Sequence, residues 1–333
     1  MVPSCPTEGH PATRPPGHPA TDDTPGHWPR PPGHPAIRRP VLRGDVSPIR
    51  EVPAHIPRPP YLAAGQPRAP MDGLPVHEFY SGPDPTQEER FHIEVKETEQ
   101  IQGMRVACQL ARQTLEVAGR AVTPGVTTDE IDRRAHDFIV ANGAYPSPLE
   151  YCGFPKAVCT SVNEVVGHGI PDSRPLEDGD FLNIDVTVYL NGYHGDTSCM
   201  FFAGRPKKRA SALCKATRQA MLAGIKVCGP DVDFREVGKA ITRSATEAGY
   251  TVHPTLEGHG IGSYFHGRPS ILPYVNDVEQ GLMKPGMTFT VEPVLVESPD
   301  RSCEVDSEDL WCSRLTSTPR GTIEDWGLQW LSC

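Results

Sequence analysis

The sequence predicts an α/β (α+β) fold built of two similar halves lying face to face. Three observations predict it. Helical spacing marks a pair of segments at 98–121 and about 128–142, and again at 207–227 and 234–248. The two pairs match at an offset of 106 residues: Pro124 with Pro230, Val126 with Val232, Glu130 with Glu236, Ile131 with Val237 and Gly143 with Gly249. A strand-patterned segment then follows each pair. A duplicated scaffold of this kind commonly carries its site where the halves meet.

Taken in order, residues 1–85 form a Pro/Gly/His-rich segment in which Gly-His recurs at Gly9-His10, Gly17-His18, Gly26-His27 and Gly33-His34. Proline removes backbone donors and fixes φ, so an extended, poorly ordered arm is expected. Its histidines could catch metal ions, but the composition favours a solvated linker. From about residue 86 the texture becomes globular. Ile101, Met104, Cys108, Leu110, Ala111, Leu115 and Ala118 define the apolar face of the first helix. Thr127 and Glu130 read as a capping box that opens the second, and Gly143 stops it. Between the pairs, Ile184, Val186 and Val188 alternate with Asp185, Thr187 and Tyr189. Asn191-Gly192 is the preferred dipeptide for a two-residue type I′ hairpin loop. That loop predicts Leu190 opposite Tyr193 and Asp185 opposite Ser198. Residues 287–293 read as a strand ended by Pro293.

Composition narrows the function. A formal net charge of −10 with no long Lys/Arg run argues against nucleic-acid binding. The ten cysteines include no C-x-x-C pair and resemble no disulfide framework, which fits a reduced, intracellular protein. No apolar run approaches 18 residues, so no membrane span is expected. The N-terminus lacks an apolar signal-peptide core. As an organelle presequence the arm is poor, because its prolines forbid an amphipathic helix.

Chemistry concentrates at the hairpin. Asp196 shares a strand face with Ser198, so Asp185 and Asp196 become diagonal neighbours, roughly 7–8 Å apart at the backbone. Like charges held that close repel. A pair of divalent cations, about 3.5–4 Å apart, would remove the conflict. His168, His259 and His266 stand beside glycines that permit close backbone approach, and Glu292 ends a strand. Carboxylates with one imidazole suit Mn, Fe(II), Co or Zn.

The motifs Asn183-Ile-Asp-Val-Thr-Val188, Gly192-Tyr-His-Gly-Asp-Thr-Ser198, Gly167-His-Gly-Ile-Pro171, Gly258-His-Gly-Ile-Gly-Ser-Tyr-Phe-His-Gly267 and Phe289-Thr-Val-Glu-Pro293 resemble type I methionine aminopeptidase, peptidase family M24, in its mitochondrial-type form. The resemblance spans about residues 86–297. It implies the pita-bread fold of two pseudo-symmetric halves and a two-metal site (Co, Mn, Fe or Zn) that removes N-terminal methionine from nascent polypeptides, near the ribosome. By that resemblance Asp185 chelates one metal, Asp196 bridges both, and His259 and Glu292 hold the second. His168 and His266 contact substrate and stabilise charge. Tyr151, Phe154, Cys159 and Phe265 line the methionine pocket. A monomer is implied, with neither nucleic acid nor membrane as partner.

The chain departs from this pattern at its end. The family's last bridging glutamate, followed by His-Thr, has no counterpart in the tail 298–333. Glu324 lies 32 residues beyond Glu292 but precedes Asp325-Trp326. Trp311 is a weak match to a pocket tryptophan. Incomplete C-terminal strands and a weakened or inactive metal centre are therefore expected. Two rivals remain: an X-Pro aminopeptidase or prolidase-like enzyme, and a pita-bread binding module without catalysis. The core wording favours a mitochondrial location over a cytoplasmic one.

Overall fold

The computed structural model describes residues 41–62 and 93–297, and the backbone of four short strands in the tail. These residues fall in a single unit, Arg38–Cys333. The first helix pair is α1 (Thr98–Arg120) and α2 (Thr128–Ala141), and the second is α3 (Lys208–Val227) and α4 (Arg235–Glu247). Their bounds fall within one or two residues of the sequence expectation. Thr127 caps α2, its hydroxyl accepting from Glu130 N–H at 3.1 Å. The reciprocal half of the capping box is absent. Glu130 turns instead to Arg133 and Arg134, whose guanidinium groups hold its carboxyl down at about 2.

The strands, in chain order, are β1 (Tyr145–Pro146), β2 (Cys159–Val162), β3 (Val165–Gly167), β4 (Phe181–Leu190), β5 (Tyr193–Phe202), β6 (Thr251–His253), β7 (Gly258–Gly260), β8 (Gly267–Ile271), β9 (Thr290–Val291) and β10 (Val294–Val296). The tail adds β11 (Cys303–Val305), β12 (Ser313–Leu315), β13 (Trp326–Leu328) and β14 (Leu331–Ser332). The hairpin β4–β5 takes the expected register, with Leu190 opposite Tyr193 and Asp185 opposite Ser198. Asn191 and Gly192 both have positive φ, 52° and 91°, as a type I′ loop requires.

One sheet runs in the order β1-β4-β5-β14-β9, with β2 also on β4. It links the halves, since β9 follows the second helix pair. Leu182, Ile184, Val186 and Val188 leave one face of β4 to join the core beneath α1 and α2. The other β4 face carries Asn183, Asp185 and Thr187. Helix α1 lies directly on Gly195. A Cβ there would meet the Cys108 backbone nitrogen at 2.3 Å. A second core gathers α3 and α4 against Val291, Val294, Leu295 and Val296.

Three expectations need correction or refinement. The strand expected at 287–293 forms a ladder over Thr290–Val291, with a single bridge from Phe289 to Gly260 ahead of it. The tail is divergent, yet its β14 enters the slot between β5 and β9. It does so over two residues, Leu331 and Ser332, so the central ladder there is short. Glu324 and Trp311 lie outside the described residues.

The third concerns the arm. Residues 1–40 and 63–92 lie outside the described residues, but 41–62 are laid as an ordered strap along the first half. Gly44 N–H donates to Asp172 Oδ2 at 2.6 Å and Asp45 N–H to Ser173 Oγ at 2.8 Å. The Val41 N–H reaches the Glu164 carboxylate. Arg50 pairs with Asp129 at 2.7 Å and Asp132 at 3.2 Å. Val52 and Ile56 are buried with Tyr145 and Leu149. Proline weakens internal hydrogen bonding but leaves carbonyls, charges and apolar groups free to bond another surface.

Candidate metal centre

Three acidic or imidazole groups meet in one buried place. The carboxylates of Asp196 and Glu292 and the His259 ring offer ligand atoms all within 4.8 Å of one another. His259 Nε2 lies 3.2 Å from Glu292 Oε1 and 3.7 Å from Asp196 Oδ2. Asp196 comes from β5, His259 from β7 and Glu292 from the end of β9, so both halves contribute. His259 is delivered by close backbone contact: a Cβ on Gly260 would fall 1.8 Å from the Arg268 carbonyl oxygen. Its Nδ1 is 3.1 Å from the Gly260 carbonyl, and a proton donated there would free Nε2 to face a bound cation.

Asp185 is not in that trio but adjoins it. Burial raises its carboxyl well above the usual range, and Asp196 and Glu292 raise it further. Burial likewise pushes Asp196 up to about 7, opposed by His259 and reinforced by Glu292. His259 is raised overall, because Glu292 and Asp196 outweigh the burial that lowers it. Asp185 Oδ1 is buried without a hydrogen-bond partner among the described residues. A nest of mutually repelling carboxylates with an unsatisfied oxygen is the electrostatic setting that a divalent cation relieves. The donor set fits such an ion.

The remaining expected residues surround this point. His168 sits at φ 53° in the turn after β3, and burial lowers its pKa while Glu292 acts to raise it. Burial also holds His266 well below its ordinary value, with His259, His168 and His194 adding to the effect. The His266 ring is 4.2 Å from that of His259 and 4.1 Å from Phe265. Tyr151 stands 4.9 Å from Phe265 and bonds His266 Nδ1 through its hydroxyl at 3.0 Å. Cys159 on β2 is the register partner of Asp185. Phe154 is buried, and its N–H donates to the Tyr151 carbonyl.

Residues 102–313 match the family described as Metallopeptidase family M24. The chain belongs to that family. Among its M24 relatives is methionine aminopeptidase 1D, chloroplastic/mitochondrial, of Arabidopsis thaliana. It is 48% identical over 258 residues, covering 78% of this chain and 68% of the relative. The mitochondrial methionine aminopeptidase 1D of Homo sapiens is 44% identical over 272 residues, 81% of this chain and 74% of the relative. A crystal structure of methionine aminopeptidase from Rickettsia prowazekii superposes with a TM-score of 0.69 at 37% identity. It covers 72% of this chain and 95% of that one. This M24 chain has the pita-bread fold.

Two further residues beside this cluster are not among those the sequence singled out. Thr290 Oγ1 accepts from His259 N–H at 2.8 Å and donates to Glu292 Oε1. The two-residue spacing of Thr290 and Glu292 on one strand face was the available signal. His194, fully buried, pairs its Nδ1 with Ser147 Oγ at 2.9 Å and stacks on Phe265 at 5.3 Å. Burial pushes it down to about 3, with His259 adding to the effect, so it remains neutral.

Proposed function

We propose that this chain removes N-terminal methionine from nascent proteins and peptides by metal-dependent hydrolysis, inside the mitochondrion. The observation that carries the reading is the buried Asp196–His259–Glu292 cluster beside the apolar ring of Phe265. Asp185, Asp196, His259 and Glu292 would hold two divalent ions, drawn from Co, Mn, Fe or Zn. When bound, such ions activate a water near neutral pH and polarise a scissile carbonyl.

The chain's own residues supply the rest. His266, neutral in its buried position, presents a ring N–H to the oxyanion that develops at the carbonyl, an effect typically worth about 3–4 kcal/mol. His168 hydrogen-bonds the scissile amide and favours its breakdown. Phe154, Cys159 and Phe265, each buried, form with Tyr151 a slot of the kind that a flexible thioether fills well. The relatives' names support an organelle address, and their activity supports methionine over an X-Pro substrate. Without a recognisable last bridging glutamate, the centre holds its metals weakly.

The deciding experiment loads the purified chain with Mn²⁺, Co²⁺ or Zn²⁺ and offers Met-Ala-Ser beside an X-Pro peptide. Release of free methionine that stops in Asp196→Asn and Glu292→Gln supports the reading. Cleavage of the X-Pro peptide alone overturns the substrate assignment. Retention of no metal after dialysis, with no turnover, points to the binding-module alternative. A fluorescent fusion that stays out of mitochondria overturns the location.

A further inference from the structure

The strap does more than cover the first half, because its last residues reach the site. Tyr61 lies in the 3-10 turn Pro60–Leu62. Its hydroxyl donates to the Ser147 carbonyl at 2.5 Å. Its ring meets Tyr151 edge-on, with centroids 4.9 Å apart and planes at 74°, and stacks near His194 at 6.0 Å. Ser147 in turn pairs its Oγ with His194 Nδ1. Tyr151 therefore has a neighbour from outside the duplicated core on one side. On the other side its hydroxyl meets His266 Nδ1.

Tyr151 needs such a neighbour. The residues before and after it, Glu150 and Cys152, both hold left-handed backbone at φ 62° and φ 47°. Non-glycine residues persist there only when surrounding structure over-determines them. The segment 147–154 closes on itself through short turns, with Tyr151 N–H donating to the Pro148 carbonyl at 3.0 Å and Glu150 N–H to the Phe154 carbonyl at 2.7 Å, and Tyr61 packs on those turns from outside.

We propose that Tyr61 is a positioning residue for the reaction. It pins the 147–154 segment through Ser147 and Tyr151, and so fixes the hydrogen bond that orients the His266 ring. The family match begins at residue 102, so the strap lies outside it. The inference rests on the reading of His266 as a proton donor to the oxyanion, and it makes the Pro-rich N-terminal segment part of the active chain.

The test compares Tyr61→Ala, Tyr61→Phe and Arg50→Ala in the full chain. The primary readout is the pair of His266 ring-nitrogen resonances in the metal-free protein, assigned with His266→Ala. In the parent they report one tautomer. Tyr61→Ala averages them, and Tyr61→Phe, which loses only the bond to Ser147, shifts them in the same direction by less. Arg50→Ala loosens the strap elsewhere and leaves them alone. In the metal-loaded enzyme Tyr61→Ala lowers kcat on Met-Ala-Ser by about threefold to tenfold, the scale of one aromatic pair. Unchanged resonances in both Tyr61 variants, or equal changes in Arg50→Ala, overturn the proposal. If the parent releases no methionine, the functional reading fails while the nitrogen resonances still decide this one. If Tyr61→Ala does not fold, Tyr61→Phe decides alone.

Discussion

Glu292 Oε1 and His259 Nε2 stand 3.2 Å apart although 33 positions separate them, and the Thr290 hydroxyl touches both residues. One hydroxyl thus sets the spacing of two proposed ligands. It accepts from the backbone of one and donates to the carboxylate of the other.

That arrangement predicts the behaviour of Thr290→Val, which keeps the shape and removes the hydroxyl. Manganese affinity falls by roughly 10–100-fold, as for other groups that orient ligands from behind. Titration calorimetry on the purified variant measures it. An affinity equal to that of the parent would show that Thr290 does not orient the pair.

Proton linkage gives a second prediction. Asp196 moves from an ordinary 3.8 to about 7 on folding. Between those values the folded, metal-free chain binds more protons than the unfolded chain, so this group's contribution falls as pH rises. His194, lowered to about 3, has the opposite slope below its ordinary 6.5, and raw stability curves mix the two. The clean quantity is the stability of the parent minus that of Asp196→Asn. Urea melts in chelator should show this difference decreasing from pH 4 to pH 7. A difference that grows with pH would contradict the raised carboxyl.

Arg50 anchors the strap to α2. Its guanidinium is largely shielded and contacts two carboxylates, of which Asp132 is fully buried. Lys156, also buried, still serves Asp129 at 2.5 Å in its absence. Arg50→Ala should therefore cost about 2 kcal/mol, the scale of hydrogen bonds to charged groups. Denaturant titration reads it, and a loss under a few tenths of a kcal/mol would mean that the strap is not held there.

Gly195 tests the packing under the site. Alanine would press on the α1 backbone at Cys108 N, 2.3 Å, and Ala107 C, 2.4 Å, where no side chain can swing away. We expect Gly195→Ala to destabilise by about 1–3 kcal/mol. Because Asp196 is the next residue, metal affinity falls with it. Parent-like melting and manganese binding would show that α1 moves aside freely.

Much of this architecture was legible locally. Asn191-Gly192 determined the hairpin register, and with it the approach of Asp185 to Asp196. Thr127 marked the start of α2 to the residue. Other features were opaque because their causes are remote. Glu130 abandoned the capping box for two arginines on the next turn. The strand expected at 287–293 shortened because β14 pairs with it over two residues and β7 adds a single bridge, Gly260 to Phe289. The strap read as an arm because its partners, Asp129, Asp132, Asp172 and Ser173, lie some 80 to 130 positions away.

The amino-acid order alone settled what acts within a turn or along a ladder: helix limits, hairpin register, and the chemical kinds of group available for ligation. Only the tertiary structure decided which of those groups meet. It drew Asp196, His259 and Glu292 together, left Asp185 beside them, and brought Tyr61 to Tyr151. The reason is physical. Propensity and pairing signals are written in neighbouring residues, whereas convergence depends on how two separately packed cores bury their faces, which no short window of sequence contains.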